Sequence, residues 1–288
     1  MNQTIATTAL KFKSDLNKLK ADQIRNICVE LGLPINRDIE PGSNKVKKIP
    51  VKELKGAIAE KLGLQTRVKT EDTGLILEKA ICLALNIEYV GEFKYSLEKA
   101  ESLAEKLGNL QQFIEEPLTH TAQGQGKYDF TGETMRLSAK SNKTHHKVAP
   151  QSIGQPTKKR FCEIFGLAPD VEQSTIKEYI LNNVRNMLPQ YFNNTFDCSV
   201  LYYHQKENTL KLIRPNEPID WSDKNLTFSQ KTVESWNEGS TLYLEVEPGI
   251  TKPIGEFQLH KNRSSVKFRW DIRNLVNEFP KNFTVHSL

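Results

Sequence analysis

KYDFTGETMRLSAKSNK, residues 127–143, contains two short runs of alternating polar and apolar side chains on either side of Gly132. Alternation with a period of two is typical of β-strands, and glycine is typical of the turn that joins them. We therefore predict a hairpin whose strands occupy residues 127–131 and 134–141.

The apolar side chains of this hairpin determine which residues share each face. Successive side chains point to opposite sides of a strand, so pairing the apolar faces sets Phe130 opposite Met135 or Leu137. Both registers place Asp129 on the other, polar face.

Asp129 shares the polar face with Ser138 and Lys140, so a carboxylate and an ammonium group lie near each other. An exposed salt bridge is one interpretation, and it would contribute at most about 1 kcal/mol. A functional site is the other, and three features favour it. Small residues flank the lysine, a basic segment without acids follows, and an apolar helix that carries Glu78 precedes the hairpin.

The basic segment covers residues 136–160, which include seven Lys or Arg residues and no Asp or Glu. The chain as a whole has a net charge of +5, so its remaining residues are slightly acidic. Such a concentration of charge is typical of a surface that binds the backbone of a polyanion. A solvated basic loop is the alternative.

Composition excludes several classes of protein. The 288 residues are 26% charged, their mean hydropathy is -0.54, and no apolar run is long enough to span a membrane. The N-terminus lacks the apolar core of a secretory signal.

Cys28, Cys82, Cys162 and Cys198 form no Cys-x-x-Cys pair, so we expect free thiols in a reducing compartment, the prokaryotic cytosol. There is no Walker loop, Rossmann fingerprint or Ser/Cys triad pattern, so we expect no nucleotide cofactor.

The periodicity of the whole chain predicts an α/β fold in two parts, a helical module at 1–66 and a larger domain at 67–288. In the larger domain, apolar residues recur at helical spacing in 73–91, 96–114, 161–167, 174–192 and 271–279. The last hundred residues are rich in strand patterns, at 196–204, 209–215, 240–248, 254–261 and 264–270.

The helical module resembles SAP, a small DNA-binding unit of two helices joined by an extended loop. The matching residues are Leu19, Ile24, Ile27, Gly32, Leu33, Lys52, Leu54, Ile58 and Leu62. The loop between the helices is longer here than in that module. A plain helical hairpin that packs on the main domain is the alternative.

The hairpin itself resembles the core of the PD-(D/E)XK nucleases, which include most type II restriction endonucleases. The matching residues are Tyr128-Asp129 on one strand and Ser138-Ala139-Lys140 on the next. The order of helix, hairpin, basic segment and helix is also similar, over residues 73–180. The resemblance implies a restriction-endonuclease-like core, in which helices flank a mixed central sheet, and Mg²⁺-dependent, sequence-specific cleavage of double-stranded DNA, with a homodimer as the default state.

The chain departs from that family's pattern at two positions. Tyr128 stands where the family has proline, and Ser138 stands where it has its second carboxylate. Some restriction enzymes take that carboxylate from a neighbouring helix. Glu78 is our candidate, because a charge in an otherwise apolar helix needs a partner such as a metal ion. Its place near the rim of the apolar face would let it reach over the hairpin. Glu163 and Glu133 are the alternatives.

The resemblance assigns a role to each side chain of the site. Asp129 and Glu78 would hold Mg²⁺, whose few protein ligands are carboxylate oxygens. Lys140 would contact the scissile phosphate or the attacking water, and Ser138 would hold a water of the metal's coordination shell.

The same resemblance implies DNA contacts along the basic segment and near the C-terminus. We predict contacts by Asn142, Lys143, Lys147, Gln151, Gln155, Lys158, Lys159, Arg160, Lys261 and Arg263. Two other functions remain open, a repair or junction nuclease of the same superfamily and a DNA-binding protein without enzymatic activity.

Overall fold

The computed structural model describes residues 10, 13–38, 46–63, 70–121 and 127–288. It divides the chain into two compact units, Met1–Lys69 and Thr70–Leu288. Each unit has its own hydrophobic core.

The first unit contains two α-helices with a short antiparallel hairpin between them. In chain order its elements are a 3₁₀ helix (Lys13–Lys18), α1 (Ala21–Glu30), β1 (Asn36–Asp38), β2 (Val46–Lys48) and α2 (Val51–Lys61). Its core includes Ile24, Ile27, Leu54 and Ile58. Both predicted helices are present. The hairpin lies in the predicted loop, where three-residue polar strands leave no alternation to detect.

The second unit contains all the remaining elements. Its helices are α3 (Thr70–Ala84), α4 (Leu97–Lys106), α5 (Lys158–Phe165), α6 (Gln173–Thr195) and α7 (Ile272–Glu278). Its strands are β3 (Thr119–His120), β4 (Phe130–Thr131), β5 (Arg136–Asn142), β6 (Lys147–Val148), β7 (Ser199–His204), β8 (Thr209–Pro215), β9 (Leu226–Phe228), β10 (Gly239–Glu247), β11 (Ile250–Gln258), β12 (Lys267–Asp271) and β13 (Phe283–Ser287). None of the described helices is long and apolar enough to cross a bilayer.

The central sheet of this unit has the strand order β13-β8-β7-β5-β4-β3. β5 and β7 run parallel and the other neighbours run antiparallel, so the sheet is mixed. On one side α3 and α4 pack against Leu137, Ala139 and Leu201. On the other side α6 contributes to a second core that includes Val200 and Tyr202. The prediction of a mixed sheet flanked by helices is confirmed.

A second, antiparallel sheet has the order β6-β12-β11-β10-β9 and also packs against α6. Its strand β12 alternates strictly, with Phe268 and Trp270 fully buried and Lys267 and Arg269 partly exposed. The Trp270 indole donates a hydrogen bond to Thr195 Oγ1 of α6 at 3.0 Å. This alternation is what made the strand predictable from the sequence.

The hairpin around Gly132 is shorter on its first strand than predicted. Only Phe130–Thr131 is strand before the turn, and Phe130 lies opposite Leu137, one of the two registers that the apolar pattern allowed. Tyr128, two residues before this strand, donates a hydrogen bond from its hydroxyl to Asp197 Oδ2 at 2.7 Å. The first strand therefore begins one residue after Asp129.

Candidate active site

The Asp129 carboxylate lies against the second strand of the hairpin. Its Oδ2 accepts hydrogen bonds from Ser138 Oγ at 2.9 Å and from the Ala139 backbone N–H at 2.6 Å. Lys140 Nζ is 3.7 Å from the same oxygen. Ser138 is completely buried, whereas the side chains of Asp129 and Lys140 keep 19% and 24% of their exposure. The structure thus brings all three side chains together at a place that solvent reaches.

The hydrogen bonds of Asp129 are unevenly shared between its two oxygens. Within the part of the chain that the structure describes, the bonds of this carboxylate all end on Oδ2. Oδ1 therefore takes part in none of these bonds. The Ser138 hydroxyl is already engaged with Asp129, so its position fits a role in orienting that carboxylate.

Glu78 approaches the same place from helix α3, which packs on β5. Its side chain is 11% exposed, so it is buried and does not lie at the rim of the apolar face, where the sequence pattern had set it. Burial raises the pKa of Glu78 above its ordinary value. A hydrogen bond from His120 opposes that rise, the negative charge of Asp129 adds to it, and the charge of Lys140 opposes it. Glu78 therefore lies within electrostatic range of both hairpin groups.

The two alternative carboxylates occupy exposed positions. Glu163 forms an ion pair with Arg160 at 3.0 Å on helix α5. Glu133 is exposed in the turn between β4 and β5. Neither position brings its carboxylate into contact with Asp129 or Lys140 among the bonds of the described residues.

Two residues that the sequence did not single out support the site. His120 lies 3.3 Å from Glu78 Oε2 through its Nε2 atom. Asp197 accepts a hydrogen bond from the Tyr128 hydroxyl and forms an ion pair with Lys127, so it anchors the residues just before Asp129. These partners are 42 and 69 residues apart in the chain, and no local pattern links them.

The two basic clusters predicted separately are neighbours in the fold. The Lys158 N–H donates to the Ser264 carbonyl at 2.6 Å, and the Val266 N–H donates to the Pro156 carbonyl at 3.0 Å. Residues 154–158 therefore run beside 264–268. The predicted DNA-contact residues that are exposed on these two segments and their ends are Gln155, Lys159, Arg160, Lys261 and Arg263, which we call the basic surface.

The other predicted DNA-contact residues are partly buried, and three of them bond to other parts of the fold. Asn142 Nδ2 donates to the Lys147 carbonyl at 2.7 Å, and Lys147 Nζ lies 3.9 Å from Asp271 Oδ2. Lys158 Nζ donates to Gln173 Oε1 at 3.1 Å. The remaining two, Lys143 and Gln151, are also half-buried.

A separate polar cluster forms where β5 and β7 end. Potential ligand atoms of His146, His204 and Glu207 lie within 4.8 Å of one another. However, Arg273 bonds to both His146 and Glu207, and the Glu207 N–H donates to His204 Nδ1 at 3.2 Å. The two imidazole rings stack with centroids 3.9 Å apart and planes 14° apart. Coordinating lone pairs lie in the ring planes, so stacked rings do not converge on one ion. We assign this cluster to packing.

The chain is 42% identical over 219 residues to the type II restriction enzyme CviAII of Paramecium bursaria Chlorella virus 1. The similarity covers 75% of this chain and 62% of that enzyme, so the chain spans less than two thirds of its relative's length. No protein-family model and no solved structure matches the chain.

The donor set around Asp129 fits a hard divalent cation. Glu78 and Asp129 supply carboxylate oxygens, which are the ligands that Mg²⁺ prefers, and Mg²⁺ needs few protein ligands because it retains several waters. A cation between the two carboxylates would also offset the repulsion that raises the pKa of Glu78. The partly exposed side chain of Asp129 leaves room for such waters.

Replacing Glu78 with glutamine should stabilise the metal-free protein above pH 4.5, the ordinary pKa of this carboxyl group. The folded state holds the Glu78 proton more tightly than the unfolded chain does. Ionisation of Glu78 therefore costs stability as the pH rises towards the folded-state pKa, and the cost is absent below pH 4.5. Glutamine carries no charge and still accepts the His120 hydrogen bond.

The gain should reach about 1.4 kcal/mol for each unit by which the fold raises the pKa of Glu78. Urea denaturation in EDTA at several pH values measures it. Glu101→Gln, on the exposed surface of α4, is the matched control and should change stability by less than about 0.5 kcal/mol at every pH. Equal stability of Glu78→Gln and wild type across this range would contradict the burial argument.

Proposed function

We propose that this chain is a type II restriction endonuclease that hydrolyses phosphodiester bonds at specific sequences in double-stranded DNA with Mg²⁺. The observation that carries the proposal is the pairing of the Asp129 carboxylate with the Lys140 ammonium group on the hairpin, beside a buried Glu78 whose pKa is affected by both charges. This arrangement is what the resemblance to the PD-(D/E)XK nucleases implies. The 42% identity to a type II restriction enzyme supports the same activity.

Asp129 and Glu78 are the residues that would hold the metal ion. When bound, the ion supplies a lowered pKa for a coordinated water and offsets the negative charge that develops on the phosphate. Ser138 and the Ala139 N–H hold the Asp129 carboxylate through Oδ2, so its other oxygen would be presented to a cation in a set orientation. Because the carboxylate is already oriented, less entropy is lost in reaching the transition state.

Lys140 supplies a positive charge beside the two carboxylates. Its Nζ is 3.7 Å from Asp129 Oδ2 and its side chain is partly exposed, so it can donate to a phosphate oxygen of bound DNA. An ammonium group acts there as a point charge that stabilises the transition state more than the ground state.

The basic surface would bind the DNA backbone on either side of the cleaved bond. Lysine and arginine in this position neutralise phosphates and release condensed counterions, which makes affinity depend on salt. Its exposed amide Gln155 can hydrogen-bond to phosphates or base edges.

Residues 1–66 would strengthen DNA binding without contributing to the chemistry. This is the role that the resemblance to SAP implies. Their described part includes exposed lysines on β2 and α2, among them Lys47, Lys48 and Lys52. A homodimer is the state we propose for cleavage of both strands, because a two-fold protein matches a palindromic site.

The catalytic assignment predicts that Asp129→Ala abolishes cleavage of plasmid DNA in Mg²⁺ while DNA binding in Ca²⁺ survives. Glu78→Gln should lower turnover at least about 100-fold, on the order of 3 kcal/mol of barrier. Glu163→Gln is the control and should cut at close to the wild-type rate. Single-turnover assays on folded variants measure each rate.

The product pattern of the wild type separates the candidate functions. Discrete fragments support a restriction enzyme, a smear or a preference for branched DNA supports a repair or junction nuclease, and intact plasmid supports a DNA-binding protein. Cleavage by pure, folded Asp129→Ala would contradict the assignment of the active site.

The basic surface can be tested through the salt dependence of binding. Lys159→Ala and Arg263→Ala should each weaken binding to all sequences and reduce the slope of log K against log salt by about one. Lys99→Ala, at an exposed position on α4, should leave the slope unchanged. Fluorescence anisotropy with a duplex in Ca²⁺ provides the measurement. An unchanged slope for both variants would show that the basic surface does not contact DNA.

A further inference from the structure

His120 occupies a closed position at the end of β3. The residue is 4% exposed, and its ring stacks on Tyr89 with centroids 4.5 Å apart and planes 23° apart. On another side the ring packs against Phe130, with centroids 5.2 Å apart. Two aromatic contacts of this kind restrict the ring to one orientation.

The hydrogen bonds of the ring determine which nitrogen carries the proton. The backbone N–H of Val90 donates to His120 Nδ1 at 3.1 Å, so Nδ1 is an acceptor and carries no hydrogen. The ring proton is therefore on Nε2, which lies 3.3 Å from Glu78 Oε2 and donates to it. The interaction is a hydrogen bond from a neutral ring.

We propose that His120 is a positioning residue of the active site, which holds Glu78 through Oε2 so that Oε1 is presented to the cation shared with Asp129. The assignment rests on the proposed function of the site. It extends that function from the ligands to the residue that orients one of them.

A neutral donor suits this position better than a charged one. A buried carboxylate oxygen without a partner loses the hydration it had in water, and the imidazole N–H replaces that hydration. A lysine or arginine would also satisfy Glu78, but its positive charge would compete with the cation. The neutral histidine orients the carboxylate and leaves its negative charge available.

His120 also connects the two carboxylates through the sheet. In the pairing of β3 with β4, His120 lies directly opposite Phe130, the residue that follows Asp129. The side chain that bonds Glu78 thus belongs to the strand that borders Asp129. The position of the Glu78 carboxylate is thereby linked to that of Asp129 through the β3–β4 pair.

Calcium binding to the full chain, measured by titration calorimetry without DNA, tests this role directly. His120→Ala should weaken calcium binding by roughly 10-fold to 100-fold, the usual effect of removing a partner of a metal ligand. His120→Gln retains an N–H donor near the position of Nε2 and should recover most of the affinity. Leu103→Ala is the packing control, because it opens the same hydrophobic core and removes no polar group of the site, and it should bind calcium within about threefold of wild type.

Cleavage and DNA binding separate this inference from the proposed function. His120→Ala should require a correspondingly higher Mg²⁺ concentration for half-maximal cleavage, with metal-free DNA affinity within about twofold of wild type. Equal calcium affinities of His120→Ala and wild type would overturn the role of His120, as would a His120→Gln variant no better than His120→Ala. A wild type that binds calcium but cuts no DNA would contradict the endonuclease alone, and one that binds no calcium would contradict both.

Discussion

Phe130 and Leu137 lie opposite each other in the β4–β5 pair, and both side chains are completely buried in the core beneath α3 and α4. Burial of these two residues fixes the register, because a slip by one residue would turn the apolar face of β5 to the other side of the sheet. In the observed register Asp129 meets Ser138 and the Ala139 N–H, and Lys140 follows two residues later on the same face. The arrangement of the polar groups in the proposed site thus depends on the pairing of Phe130 with Leu137, two side chains that take no part in the proposed reaction.

Burying the second carboxylate, that of Glu78, costs folding free energy. Glu78 is buried, its pKa is raised by that burial and by Asp129, and the His120 N–H offsets the cost in part. Conflicts of this kind are common where a site is arranged for a ligand, and the stability is supplied elsewhere. Here the larger core around α6, in which the Phe268 ring contacts the rings of both Tyr191 and Trp270, can supply it.

The sequence was informative wherever a period or a local charge pattern was present. Strict alternation located β12 and the polar face of β5, and an acid in an apolar helix made Glu78 a candidate. His120 and Asp197 were not predictable, because each meets its partner across a long stretch of chain. The predicted position of Glu78, at the rim of the apolar face, was wrong for the same reason. Its burial depends on a hydrogen bond from His120, which comes from β3. The two basic clusters are neighbours because Thr157 pairs with Ser265, and no pattern in the sequence predicts that pairing.

The central claim is that one divalent cation site lies between Glu78 and Asp129. Crystals grown in Mn²⁺ would test it most directly, because anomalous diffraction locates that ion independently of the refined side chains. We expect an anomalous peak within coordinating distance, about 2.0–2.4 Å, of an oxygen from each carboxylate. A peak at His146, His204 and Glu207 instead, or no peak at Asp129, would contradict it.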